Sequence, residues 1–160
     1  MQLRKYRITA GIEFLFAAIA VVAIAGLASP SAAASDIFGV WSTEKDNGHV
    51  AIMRCGDAIC GRVIDAKVLH VNPAQTDIFN PDRAKRARPL LGLVVLQGYR
   101  GGDGEWFGGM IYDPQTGIAS GDSRLMLTSP DTLMVEGCRA VLCKSQTWTR
   151  VRNAPSSPHG

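Results

Sequence analysis

Three groups of residues in this 160-residue chain have types that could do chemistry: four cysteines, a cluster of cations and two isolated histidines. The cysteines come as Cys55-Gly-Asp-Ala-Ile-Cys60 and Cys138-Arg-Ala-Val-Leu-Cys143. Each pair brackets four residues, whereas redox catalysis favours Cys-x-x-Cys at a helix N-terminus. Zinc clamps use two to four intervening residues, so this spacing sits at the limit. The cations Arg83, Lys85, Arg86 and Arg88 lie in one stretch with Asp77, Asn80 and Asp82. Guanidinium groups gathered there could take a carboxylate or another anionic head group; alternatively Arg83, Lys85 and Arg86 form a solvated face. His49 and His70 stand without a His-Glu-x-x-His spacing, Ser42 has no nucleophile elbow, and no glycine-rich phosphate loop opens a helix. These residues favour a non-enzyme and call for no cofactor or metal; a third reading, a hydrolase or isomerase, needs a His or carboxylate with a perturbed pKa inside a cavity.

The elements that must position these groups read as strands. β-Branched and aromatic runs at Phe38–Glu44, His49–Gly56, Ile59–Lys67, Leu90–Tyr99, Glu105–Tyr112, Ile118–Thr128, Thr132–Gly137 and Leu142–Arg152 are separated by turn chemistry. The turns include Asp46-Asn47-Gly48, Gly101-Gly102-Asp103-Gly104, Asp113-Pro114-Gln115-Thr116-Gly117 and Ser129-Pro130-Asp131. No segment after residue 34 keeps a helical apolar period. One connection, 68–89, is long and has room for a turn or two of helix around Asp82–Ala87. Eight short strands in series predict an all-β fold, an eight-stranded antiparallel up-and-down β-barrel, because closure removes both sheet edges and covers the apolar face. A two-sheet sandwich is the alternative. A barrel of eight strands is filled by side chains or holds one small ligand.

That topology discriminates among the three cysteine pairings. With strands alternating up and down, the Cys55/Cys60 tip lies at the bottom and the Cys138/Cys143 tip at the top. The prediction is Cys55–Cys60 and Cys138–Cys143, and no single zinc could gather all four thiolates. The turns at 45–48, 68–89, 113–117 and 139–141 share the top. Asp77, Asn80, Arg86, Arg88, Tyr112 and Asp113 then surround a mouth as candidate ligand-binding residues. Trp106 joins them, because a spacing of six puts it on the same strand face as Tyr112; core packing of the pair is the alternative to ligand stacking and the favoured one. Arg88 has a second option, pairing with Asp77 or Asp113 to pin the long connection.

At the other end Gly39-Val40-Trp41 opens the first strand and Arg150 lies near the end of the last. Barrel closure brings them together, with a guanidinium over an indole as a structural plug and Gly39 allowing close approach. A Gly-x-Trp in the first strand with a late Arg resembles the calycin superfamily, which includes the lipocalins. More specifically the chain resembles the bacterial family DUF2147. The matching stretches are Gly39-Val40-Trp41, Cys55-Gly56 through Cys60-Gly61, Asn80-Pro81, Arg88-Pro89-Leu90-Leu91-Gly92, Trp106 through Pro114, and Gly137-Cys138 through Arg150. The family often has an aromatic after the Asp-Pro-x-x-Gly turn, where this chain has Ile118-Ala119-Ser120. The resemblance implies an exported, lipocalin-like barrel and brings no established activity.

The N-terminus agrees with export. Arg4, Lys5 and Arg7 precede the apolar run Leu15–Ala28, and Ala32-Ala33-Ala34 supplies small residues for cleavage before Ser35. The run is short for a spanning helix, so residues 1–34 read as a signal peptide and leave no stable membrane anchor. Losing Arg4, Lys5, Arg7 and Glu13 takes the formal charge from +3 to +1. Such a chain is not drawn to nucleic acid by its overall field. Residues 35–152 are expected to form the barrel and 153–160 a disordered tail. Paired cysteines fit the periplasm. The expectation is non-catalytic binding of a small, partly apolar molecule, anionic ones included. The alternative is an envelope protein–protein interaction module with a filled barrel core.

Overall fold

The computed structural model describes residues 36–45 and 47–152, all within one compact unit spanning 32–160. The expected signal peptide, 1–34, and tail, 153–160, lie outside the described residues. Eight strands follow in order: β1 (Gly39–Ser42), β2 (His49–Cys55), β3 (Ala58–Asp65), β4 (Val94–Gly102), β5 (Glu105–Asp113), β6 (Ile118–Ser129), β7 (Thr132–Arg139) and β8 (Leu142–Arg150). Each pairs antiparallel with the next, and β1 closes on β8 through Trp41 opposite Arg150 and Ser42 opposite Thr149. The closed up-and-down barrel predicted from the turn spacing is the observed fold.

Alternation drives closure. In β7, Leu133 and Val135 are buried while Thr132, Met134 and Glu136 are only half-buried. In β6, Ser123 and Leu125 point inward around exposed Arg124. One apolar face per strand has nowhere to hide except the inside of a cylinder. Trp41, Tyr99, Leu96, Leu125, Leu133 and Ile37 fill the lower half almost without exposure.

Two expectations about elements are corrected. The fourth strand was expected at Leu90–Tyr99 but runs Val94–Gly102. Gly92 takes a positive φ of 80°, and Leu93 N–H returns to the Leu90 carbonyl, so Leu90 and Leu93 are buried by a turn rather than by a ladder. At its far end Asp103 and Gly104 both have positive φ, 55° and 94°. That two-residue turn lets Gly101 and Gly102 stay in the strand. The long connection also holds a helix that was not expected, α1 (Lys67–Val71), with Leu69 as its buried residue. The expected helical turn near Asp82–Ala87 is a 3-10 turn, Arg83–Lys85, capped by the Asp82 side chain accepting from Ala84 N–H. Among the described residues no helix is long and apolar enough to cross a membrane.

Both disulfides are present as predicted. Cys138 and Cys143 face each other across β7 and β8, 4.0 Å apart at Cα, and Cys55–Cys60 spans 5.8 Å near the β2–β3 tip. The two bonds therefore lock separate hairpins at opposite ends.

Candidate functional site

Above the packed lower half the barrel is open. A cavity of ≈ 540 Å³ is floored by Val50, Val63, Leu90, Val95, Ile111 and Trp148. These are inward-facing residues of five strands and the turn before β4, and their apolar character follows from the alternation that closes the sheet. Its mouth lies among the upper connections. The connection 66–93 contributes Val68, Val71 and Phe79, and the β1–β2 turn contributes Lys45. Lys67, from the start of α1, is the second cation at the mouth. Among the described residues neither lysine has an ion-pair partner. Asp65, also at the mouth, is engaged: His70 Nε2 lies 2.7 Å from one carboxylate oxygen and His49 Nδ1 3.6 Å from the other.

The connection that frames this mouth is held by a polar latch. Asp77 is 1% exposed. Its carboxylate accepts from Tyr112 Oη at 2.6 Å, Arg88 Nη2 at 2.7 Å and Asn80 Nδ2 at 2.8 Å. Asn80 Nδ2 also reaches Tyr112 Oη at 3.0 Å, and Arg86 Nε donates to the Asn80 carbonyl at 2.7 Å. A buried carboxylate persists only when paired and hydrogen-bonded, and here every described buried side-chain polar atom has a partner. Partial burial, and then the Asp77 carboxylate, push the Tyr112 phenol up to about 12. Ala84 N–H and Lys85 hold the Asp82 carboxyl below its ordinary value. Gly117 lets the Phe79 carbonyl lie against the β5–β6 turn, where a Cβ would collide with it; its φ of 70° also suits glycine.

The structure thus brings Asp77, Asn80, Arg86, Arg88 and Tyr112 together through hydrogen bonds to one another, with Asn80 Oδ1 also accepting from Asp82 N–H. Of the residues predicted for the mouth, Tyr112 and Asp113 line the cavity. The Asp113 carboxylate accepts from Gln115 N–H and Thr116 Oγ1 within its own turn. Arg88 takes the pinning option, with Asp77 rather than Asp113 as partner. Trp106 is at the other end, lining a smaller cavity of ≈ 210 Å³ with Ile37, Ile59 and Tyr99. The expected shared face with Tyr112 is lost because the register shifts between Phe107 and Gly109, dropping Gly108 from the alternation. Trp106, Gly109 and Ile111 then face inward in place of every second residue counted from Trp106. Lys45 and Lys67 were not singled out from the sequence. Lys45 adjoins a recognised turn, and Lys67 ends a predicted strand.

The bottom is closed by Trp41 and Arg150. The guanidinium carbon stands 4.2 Å from the indole centroid. Arg150 donates to the carbonyls of Pro130 (2.7 Å), Phe38 (2.8 Å) and Asp36 (2.6 Å), and Trp41 Nε1 donates to Ile37 O at 2.8 Å. Gly39, with φ 120°, leaves room for Arg150 Nη1, which a Cβ would approach to 3.2 Å. Among the described residues, the one cluster spaced to hold a metal is Glu136, Cys138 and Cys143, and its two thiols are joined in a disulfide.

A closed eight-stranded barrel, plugged at one end and hollow at the other, places the molecule in the lipocalin-like fold class. The fold matches a solved structure from Helicobacter pylori, protein HP1028, described as belonging to the lipocalin family: TM-score 0.65, 20% identity, covering 74% of this chain and 84% of that one. The chain belongs to DUF2147, described as an uncharacterized protein conserved in bacteria, whose family model matches residues 39–150. No curated protein matches it in sequence.

Proposed function

We propose that this protein is an exported, non-catalytic binder that holds one small molecule with an apolar body and an anionic head in the upper half of its barrel. The observation that carries this reading is the ≈ 540 Å³ cavity with an apolar floor and two lysines at its mouth, Lys45 and Lys67, that make no ion pair among the described residues. Ligand sites of roughly 300–1,000 Å³ with few polar groups are typical for small molecules. The apolar body gains by leaving water, and the lysines supply attraction to the head without burying a charge. Export to the periplasm is supported by the N-terminal leader pattern and by two disulfides that need an oxidising compartment.

Palmitate is a direct probe. Of the three tryptophans, 41, 106 and 148, Trp148 alone lines the cavity, so saturable change in tryptophan emission reports occupancy. The expected result is one site per chain. Lys45→Gln with Lys67→Gln should weaken palmitate but leave hexadecanol unchanged. A chain that binds neither palmitate nor hexadecanol, and retains no small molecule in native mass spectrometry after periplasmic purification, would overturn the reading.

A further inference from the structure

The rim of the mouth carries apolar side chains where a soluble turn normally carries polar ones. Val141 is 93% exposed and Leu142 75%, adjacent at the tip of the β7–β8 hairpin. Val71 is 86% exposed and Phe79 59%, both on the connection 66–93. Scattered exposed hydrophobes need no explanation, but these are placed by topology. In an eight-stranded cylinder the β3–β4 and β7–β8 connections are four strands apart, halfway round the same rim. A peptide seated at one of them would leave the other in water. A broad apolar surface laid across the mouth covers both. The Cys138–Cys143 bond clamps the base of the hairpin, so its apolar tip is held ready at little entropic cost.

Charge selects the kind of surface. The connection 66–93 carries Lys67, Arg83, Lys85, Arg86 and Arg88 against Asp77 and Asp82, and exposed Arg139 and Lys144 flank the hairpin tip. At the lower end the turn residues Asp57, Asp103 and Asp131 are balanced by Arg54, Arg100, Arg150 and Arg152, the last two paired with Asp131. The two apolar segments of the open rim are therefore both basic, each with more cations than anions. Apolar tips ringed by Lys and Arg match the interface of an anionic bilayer, where acyl chains lie beneath negative head groups. We propose that the upper rim docks mouth-down on an anionic phospholipid surface. Docking stands on the rim residues and does not depend on what the cavity holds.

The test uses residues 35–160 exported behind an unrelated leader, because these residues fall within the compact unit 32–160 and the apolar N-terminal run cannot then contribute. Partition is measured by co-sedimentation with vesicles of phosphatidylglycerol and phosphatidylethanolamine, and with vesicles of phosphatidylcholine alone. Binding is expected to the anionic vesicles and to weaken as salt rises. Val141→Ser with Leu142→Ser should lower partition at least about ten-fold. Arg139→Gln and Lys144→Gln should each lower it about five-fold. Phe107→Ser, at an exposed apolar residue of the outer wall, should change nothing, and circular dichroism should show every variant folded. Palmitate binding should survive the tip substitutions, which keeps failure here distinct from failure of the ligand reading. The proposal is overturned by equal binding to phosphatidylcholine, by partition indifferent to the tip, or by a dimer that the tip substitutions dissolve, since a second copy would then cover those residues.

Discussion

The two ends of the barrel are closed by different physics. At the bottom, indole and guanidinium stack over a packed apolar interior, and Arg150 ties three carbonyls from two separate segments. At the top, one buried carboxylate, Asp77, gathers Tyr112, Arg88 and Asn80 around a long connection, and the space beneath is left unfilled. The lower end resists opening through packed apolar volume, broken by the smaller cavity of ≈ 210 Å³ beside Trp106. The upper end keeps its shape through a few directional bonds, which fix a frame without filling it. The binding proposed for this chain needs that division, because a mouth held open by packing would have no room for a guest.

Breaking the bottom should have the largest effect. Trp41→Ala removes a fully buried indole and the ring under Arg150, so a loss of about 3–5 kcal/mol is expected in urea unfolding, with palmitate binding retained at low denaturant. The matching blow to the top is smaller. Asp77→Ala leaves the Tyr112 hydroxyl and the Arg88 guanidinium without their acceptor, and a loss of about 2–3 kcal/mol is expected. Here the signature should be local: amide exchange should quicken across 66–93 while the lower strands hold their protection. Equal, global loosening in both variants would erase the distinction between the two ends. The smallest effect at neutral pH, and the sharpest in alkali, concerns the two tyrosines of residues 35–160. Burial pushes Tyr99 up to about 12, and partial burial with the Asp77 carboxylate does the same for Tyr112. A raised phenol value means the fold favours the neutral form. Its contribution is complete below pH 10 and lost as pH rises toward 12. Tyrosinate absorbance should therefore be nearly absent at pH 10 in the folded chain and half-developed there in urea. Asp77→Asn should bring the Tyr112 half of the signal to lower pH and leave Tyr99 in place.

Most of the frame was legible because its signals are local. Turn residues such as Asp113-Pro114 and Pro130-Asp131 punctuate the strands, and up-and-down order followed from the short links between them. The same topology paired the cysteines and brought Trp41 to Arg150. What escaped depends on distance or on one residue's backbone. The bond between Tyr112 and Asp77 joins positions 35 apart in sequence, so only its partners, not their purpose, could be picked out. Positive φ at Gly92 turned an apolar run out of β4, and one bulge at Gly108 parted Trp106 from Tyr112. The helix α1 has five residues, no side-chain cap and one buried leucine, too little for any periodicity to register. Lys45 and Lys67 became site residues only when the sheet curled and set two unrelated turns side by side.

The join between first and last strands has a mechanical meaning. β1 meets β8 at only two registered positions, whereas β7 meets β8 at eight. Above Thr149 the wall continues through loop contacts, among them Glu44 accepting from the Thr147 amide. Below Ser42 the same line is fastened by Arg150 to the Phe38 and Asp36 carbonyls and by Val151 N–H to the Val40 carbonyl, so its lightly stitched stretch is the upper one. That upper stretch runs beside Gln146 and Trp148, which border the cavity, so the cavity wall there rests on fewer ladder bonds than anywhere along β7 and β8.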